Sequence, residues 1–171
     1  MKKLLGVFVA LIALIFIFPG CSYKLNGSAI PPEMKTINIA FFENNAQIVV
    51  ANLSQTFTEA LKNRVRTTTN ISLVNGEGKA NMSGTITDYH FAPISIQATP
   101  NNVAPVAGAE VLSISVRVKF VYAADTKLNF DQTFTETQNF TGELSSQEQQ
   151  LIQTITPKLI DDIFNKAFNN W

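Results

Sequence analysis

Hydrophobic residues recur along this chain with two different periods, and the changes of period divide it into predicted strands and helices. Residues 36–42 place Ile37, Ile39 and Phe41 on one side at a period of two, which predicts a strand. Residues 53–65 instead carry apolar side chains at helical spacing, which predicts an amphipathic helix with Asn52 or Ser54 as its cap. The apolar positions of that helix are Leu53, Phe57, Ala60, Leu61 and Val65.

The middle of the chain alternates with a period of two. A short strand at 71–74, a turn at 75–78 and an extended stretch at 80–97, interrupted by Pro93, predict one hairpin. Residues 111–122 predict the clearest strand, and residues 128–140 pair with it as a second antiparallel hairpin. In residues 111–122 the even positions from Leu112 to Tyr122 are apolar, while the odd positions from Ser113 to Lys119 are polar. One face of this strand should be buried and the other wet.

The last element is a predicted long helix. It opens with a capping box at 145–148, and Pro157 should kink it. Its apolar stripe comprises Leu151, Ile152, Ile155, Leu159, Ile163, Phe164 and Phe168. Two amphipathic helices each need an apolar surface, so the order β-α-β-β-β-α predicts an α+β fold. We expect a mixed, mostly antiparallel sheet of about four strands, with both helices packed on one face, in a single domain at 36–171.

The N-terminus has the pattern of a secretory signal peptide at residues 1–20. Two lysines precede the apolar run Leu4 to Phe18, whose 15 residues fall short of the roughly 20 that span a bilayer. Gly20 then precedes Cys21, the single cysteine of the chain, and this pairing resembles a lipobox. We therefore predict a covalent lipid on Cys21 and a lipidated tether at 21–35. The alternative is that Cys21 is an ordinary residue beside a standard cleavage site.

Charge and chemical motifs narrow the classes of function. Removing the signal leaves 11 basic against 13 acidic residues, and no basic stripe suggests a nucleic-acid partner. No phosphate-binding loop or nucleophile elbow occurs, and a lone histidine, His90, cannot make a usual zinc site. We expect His90, which is two residues after Asp88, to have a structural role. The sequence therefore favours a protein that is not an enzyme and has no cofactor besides its covalent lipid.

Several segments of the mature chain resemble the LptE-like lipopolysaccharide-assembly lipoproteins. They are IPPEMKTI at 30–37, LSQTFTEAL at 53–61, GTITDY at 84–89 and DIFNKA at 162–167. The resemblance implies a lipoprotein of the outer membrane that partners or plugs a large β-barrel translocon of the LptD type. Its domain would face the periplasm or lie inside the barrel lumen.

The resemblance also implies contact with lipopolysaccharide, whose phosphates need cations. Arg117 and Lys119, on the polar side of their strand, are the candidate contacts. The alternative is a periplasmic lipoprotein of another class, either a curli-secretion-type pore subunit or an activator of a cell-wall synthase. The opening strand, which ends in FFEN at 41–44, resembles those families as well.

Overall fold

A computed structural model describes residues 30–94 and 108–169, which form six strands and two helices. The strands are β1 (Thr36–Ile39), β2 (Glu43–Asn44), β3 (Ser72–Leu73), β4 (Ala80–Pro93), β5 (Ala109–Tyr122) and β6 (Phe130–Thr141). The helices are α1 (Leu53–Thr68) and α2 (Leu144–Phe164), with a 3-10 turn at Thr126–Leu128 and a π-helical turn at Asn165–Asn169. The α+β class is confirmed, with six strands where about four were expected.

The strands form one sheet in the order β3-β1-β4-β5-β6, and β2 continues the line of β1 along β4. Strands β4, β5 and β6 form an antiparallel meander, whereas β1 runs parallel to both β3 and β4. The predicted hairpin between 71–74 and 80–97 is therefore wrong, because β1 lies between these two strands. The intervening turn is hydrogen-bonded to β1 instead. The side-chain amide of Asn38 donates to the Gly76 carbonyl, and the backbone amide of Lys79 donates to the Thr36 hydroxyl.

Both helices pack on one face of the sheet and enclose the core. The even positions of β5 from Leu112 to Tyr122 are buried. Every apolar residue predicted for the last helix is also buried, including Phe168, which lies in the π-helical turn after α2. The ring of Phe120 contacts that of Phe168, with centroids 5.9 Å apart. At the other side of the core the rings of Phe42 and Phe57 lie 5.2 Å apart, which joins α1 to the sheet.

The alternation of the first strand breaks between β1 and β2, so the prediction for Phe41 is wrong. Phe41 is 56% exposed, and Phe42 takes the core position instead. The backbone hydrogen bonds between this segment and β4 are interrupted after the Ala40 amide. The backbone amide of Phe42 donates instead to the hydroxyl of Thr58 on α1. Gly84 makes room for this ring, because a Cβ there would lie 2.5 Å from Cε1 of Phe42.

Both helices begin near the predicted positions, but the contacts at their first turns differ from the predicted side-chain caps. α1 follows Asn52, which has a φ of 64° and makes no side-chain cap; its carbonyl accepts from the Thr56 amide. α2 begins at Leu144, one residue before the predicted capping box, and the Glu143 carbonyl accepts from both the amide and the hydroxyl of Ser146. Pro157 lies inside α2.

The packed part of the chain extends upstream of residue 36, the predicted start of the domain. Met34 is only 2% exposed, and Ile30 packs against the core. The predicted signal peptide and Cys21 lie outside the described residues. Within 30–94 and 108–169, no helix is long and apolar enough to cross a membrane.

Candidate functional site

The sheet face turned away from the helices is polar and forms the candidate functional site. Residues that are directly opposite each other on adjacent strands point to the same side, so the register places four polar positions of each strand together. We call this surface the polar face. It consists of Ser83, Thr85, Asp88 and His90 on β4, Ser113, Ser115, Arg117 and Lys119 on β5, and Asp131, Thr133, Thr135 and Thr137 on β6.

Hydroxyl groups tie the centre of the polar face together. The hydroxyls of Ser115 and Thr135 lie 2.7 Å apart, and the Thr87 hydroxyl donates to the Ser115 carbonyl from a bulge in β4. Ser113 and Ser115 are buried rather than wet, because these small side chains stand between two flanking strands. The prediction of one wet face thus holds for Arg117 and Lys119 and fails at the two serines.

The charges of the polar face are largely neutralised within it. Arg117 donates from Nε and a terminal nitrogen to the two carboxylate oxygens of Asp131, at 2.8 and 3.1 Å. These hydrogen bonds hold the pKa of the Asp131 carboxyl below its ordinary value and raise the pKa of Arg117. Lys119 lies directly opposite Asp131 in the register, but no ion pair among the described residues includes it.

The two candidate contact residues are therefore brought together, but in different electrostatic states. Among the described residues, the guanidinium of Arg117 is hydrogen-bonded to the Asp131 carboxylate, whereas the ammonium of Lys119 makes no ion pair, although its charge also helps to lower the pKa of Asp131. Sequence reasoning missed Asp131. The register of the β5–β6 hairpin could have found it, since Thr133 lies opposite Arg117 and Asp131 is two residues from Thr133, on the same face.

A second side-chain pair on the polar face joins His90 to Asp88. The His90 Nδ1 and an oxygen of Asp88 lie 2.5 Å apart, and both side chains are exposed. Residues i and i+2 of a strand point the same way, which explains the contact. Across the described part of the chain, no group of three histidine, cysteine, aspartate or glutamate residues could hold a metal ion.

Comparison with known proteins identifies the class. The sequence profile of the LptE family, described as lipopolysaccharide-assembly, matches residues 34–167. This match covers most of the chain, so the protein belongs to the LptE family of lipopolysaccharide-assembly lipoproteins. The expectation from the residue segments quoted above is thereby confirmed. No curated protein matches the chain.

Two solved structures have a similar fold. A hypothetical protein from Chlamydia trachomatis superposes with a TM-score of 0.51 at 8% identity, covering 77% of this chain and 97% of its own. An uncharacterized lipoprotein B from Nitrosomonas europaea gives a TM-score of 0.50 at 14% identity, covering 84% and 87%. At such low identities these likenesses concern the fold alone.

Proposed function

We propose that this protein is an outer-membrane lipoprotein, held by lipid on Cys21, that partners or plugs a large β-barrel of the LptD type during lipopolysaccharide assembly. The polar face is the observation that carries the proposal. Three adjacent strands present mostly hydroxyl groups, and the guanidinium of Arg117 is paired within the face. The lumen of a large outer-membrane barrel is itself polar, so the two surfaces can exchange hydrogen bonds.

The internal pairing of charge supports this proposal physically. A charged group that loses its water without gaining a partner is costly, and the bond between Arg117 and Asp131 offsets part of that cost when the face is covered. Small hydroxyl side chains also lose little rotamer freedom on binding. The face therefore suits a large polar contact better than a catalytic site, and the proposal contains no catalytic step.

Co-purification tests the proposal directly. A tag after Trp171 and mild detergent extraction should recover an outer-membrane β-barrel together with this protein. Recovery of a cell-wall synthase, or of a homo-oligomeric ring, would overturn the proposal and support one of the alternatives. The matched control is a tagged chain with Cys21→Ser, because it separates a contact with the barrel from shared residence in the membrane.

Lipopolysaccharide contact is the finer part of the proposal, and Lys119 is the better placed of the two candidates. A phosphate can approach the ammonium of Lys119 without breaking a hydrogen bond to Asp131, whereas Arg117 must first share or leave that carboxylate. We expect Lys119→Ala to weaken lipopolysaccharide binding by roughly tenfold, about 1.4 kcal/mol, and Arg117→Ala to weaken it less. Unchanged binding by the double variant would rule out this contact.

A further inference from the structure

Strand β6 forms one edge of the sheet, and its outer side has no neighbouring strand among the described residues. It pairs with β5 along its 12 residues without a register shift, whereas β3, at the opposite edge, has only two residues. Long, regular edge strands are templates for pairing, and proteins commonly blunt them with proline, lysine or a bulge. Residues 130–141 contain neither proline nor lysine. This edge is therefore open to another strand.

The odd-numbered residues of β6 carry the outward backbone groups. In an antiparallel pair, alternate residues direct both N–H and C=O to one neighbour. On β5, the Tyr122 amide donates to the Asn129 side chain, beside β6, and the Ala109 carbonyl accepts from the Ile94 amide, beside β4. Even residues of β5 therefore bond to β6. Because these lie opposite even residues of β6, the odd residues of β6 point outward.

Most of these outward groups are not used within the chain. Only near the end of the strand do the carbonyls of Asn139 and Thr141 accept from glutamine side chains. In the described part of the chain, no side chain bonds to the outward backbone groups of residues 131–137. The odd positions in this range are therefore available to pair with a second strand.

The sequence of β6 selects one register for pairing with a second β6. Outward residues must meet outward residues, which leaves two long antiparallel registers about a two-fold axis. One pairs residues 130–140 and is centred on Thr135, and the other pairs residues 131–141 and is centred on Glu136. The second register sets two Glu136 carboxylates directly opposite each other, and like charges in that position repel. The register centred on Thr135 is therefore favoured.

In this favoured register, the side chains of the two strands are complementary. Thr135 lies opposite its own copy, and Thr133 lies opposite Thr137 of the second copy. Cross-strand pairs of threonines stabilise a sheet. The two acidic residues of the strand lie opposite an asparagine and a phenylalanine, so no like charges oppose each other. The strand thus matches itself in backbone, side chains and charge.

We propose that two copies of this protein pair through β6, antiparallel, about a two-fold axis at Thr135. A second copy offers a preformed strand of the same length, whereas a flexible segment of another protein would first have to be ordered. A closed barrel offers no edge, because all its strands are paired. The two polar faces then lie on the same side of one continuous sheet. This inference goes beyond the proposed function, and a pair closed by a two-fold axis is distinct from a ring.

Cysteine cross-linking of the full-length lipoprotein in cells tests the pairing and its register. Directly opposed Cα atoms in a hydrogen-bonded antiparallel pair lie about 5.5 Å apart, within the reach of a disulfide. Thr135→Cys should therefore give a disulfide-linked pair of chains in the oxidising periplasm. Thr137→Cys is the matched control and should give little, because its two copies lie four positions apart, roughly 13 Å along the strands.

A mixed pair of variants checks the register further. Chains with Thr133→Cys, coexpressed with differently tagged chains that carry Thr137→Cys, should link as efficiently as two chains with Thr135→Cys. Equal yields from Thr135→Cys and Thr137→Cys expressed alone, or a link from Thr135→Cys to a different protein, would overturn the inference. The wild type, which keeps only Cys21, is the blank.

A second variant tests the pairing without a disulfide. Thr135→Lys sets two ammonium groups opposite each other at the axis, whereas Gln55→Lys adds the same charge at an exposed position of α1. In detergent, Thr135→Lys should lower the co-purification of two differently tagged chains by roughly fivefold or more, and Gln55→Lys should leave it unchanged. Far-ultraviolet circular dichroism checks that both variants are folded. Undiminished co-purification of folded Thr135→Lys chains, or no co-purification of wild-type chains, would contradict the proposed pair.

Discussion

Two buried tyrosines show how differently one kind of residue can contribute to this fold. The Tyr89 hydroxyl donates to Oε1 of Glu148 at 2.8 Å, which joins β4 to the first turns of α2. The Tyr122 hydroxyl is buried and has no hydrogen-bond partner among residues 30–94 and 108–169. A satisfied buried hydroxyl contributes to stability, whereas an unsatisfied one costs desolvation energy. The same substitution should therefore have opposite effects at the two positions.

Phenylalanine at each position tests this contrast. Tyr89→Phe should lower the free energy of unfolding by about 1–2 kcal/mol, since it removes a hydrogen bond to a carboxylate. Tyr122→Phe should leave that free energy unchanged or raise it by up to about 1 kcal/mol. Urea unfolding followed by circular dichroism measures both values, and each variant is the control for the other. Equal losses would contradict the assigned bonding.

The same tyrosine predicts how stability responds to alkali. Burial, the hydrogen bond to Glu148 and the negative charge of Glu148 raise the pKa of Tyr89 well above its ordinary value. The unfolded chain therefore releases this proton before the folded chain does, and the stabilisation present below about pH 10 is lost as the pH rises.

Urea midpoints between about pH 8 and 11.5 test this dependence. Wild-type stability should fall more steeply above about pH 10 than that of Tyr89→Phe, by up to about 1.4 kcal/mol per pH unit. Parallel curves for the wild type and Tyr89→Phe would show that Tyr89 is not the group responsible.

At the scale of elements, Arg64 connects the two helices. A terminal nitrogen of its guanidinium lies 2.9 Å from an oxygen of Asp161, and its central carbon lies 5.0 Å from the ring centre of Phe164. The ion pair is partly exposed and should contribute little, whereas the contact with the aromatic face needs the flat guanidinium. The ring contact should therefore outweigh the charge pair.

Two conservative substitutions separate these contributions. Arg64→Lys keeps the charge and loses the planar contact, so we expect a destabilisation of about 0.5–1 kcal/mol. Asp161→Asn removes the ion pair alone and should cost less than about 0.5 kcal/mol. Denaturant unfolding at low and high salt checks both values. A larger, salt-sensitive loss from Asp161→Asn would show that the charge pair dominates.

The helices and strands themselves were more predictable than the pairing between the strands. The stripe of α2 was foreseen residue by residue, because helical period and burial are both local properties of the sequence. The parallel pairing of β1 with β3 and β4 was not foreseen, since a period of two reveals a strand without identifying its neighbours. Phe41 was misplaced for a related reason: contacts from α1 and β4 break the alternation there, and these come from distant parts of the chain.

The candidate site was partly predictable on the same grounds. Alternation along β5 identified the side that carries Arg117 and Lys119, but the neutralising Asp131 depends on the register between strands.

At the scale of the whole molecule, the packing of the N-terminal segment limits how far the domain can lie from a lipid on Cys21. Met34 and Ile30 pack against the body, and the groove beside them is lined by Ile71 and Ser72 at the β3 end of the sheet. Eight residues, 22–29, lie between Cys21 and Ile30, and these nine Cα–Cα steps allow a reach of at most about 30 Å. The proposed anchor would therefore hold the domain within about its own diameter of the bilayer.

Replacing Cys21 tests whether lipid alone provides membrane attachment. We expect Cys21→Ser to move the protein from the membrane pellet to the soluble periplasmic fraction, because acyl chains at about 0.8 kcal/mol per methylene are the proposed source of affinity. Ser22→Ala, one residue away, should stay in the pellet, and its mature mass should include the lipid. A pelleted Cys21→Ser chain that is released once the barrel is absent would show that partner binding also holds the protein there. An unmodified cysteine in the wild-type mass spectrum would remove the anchor from the proposal, and the barrel contact would then have to localise the domain by itself.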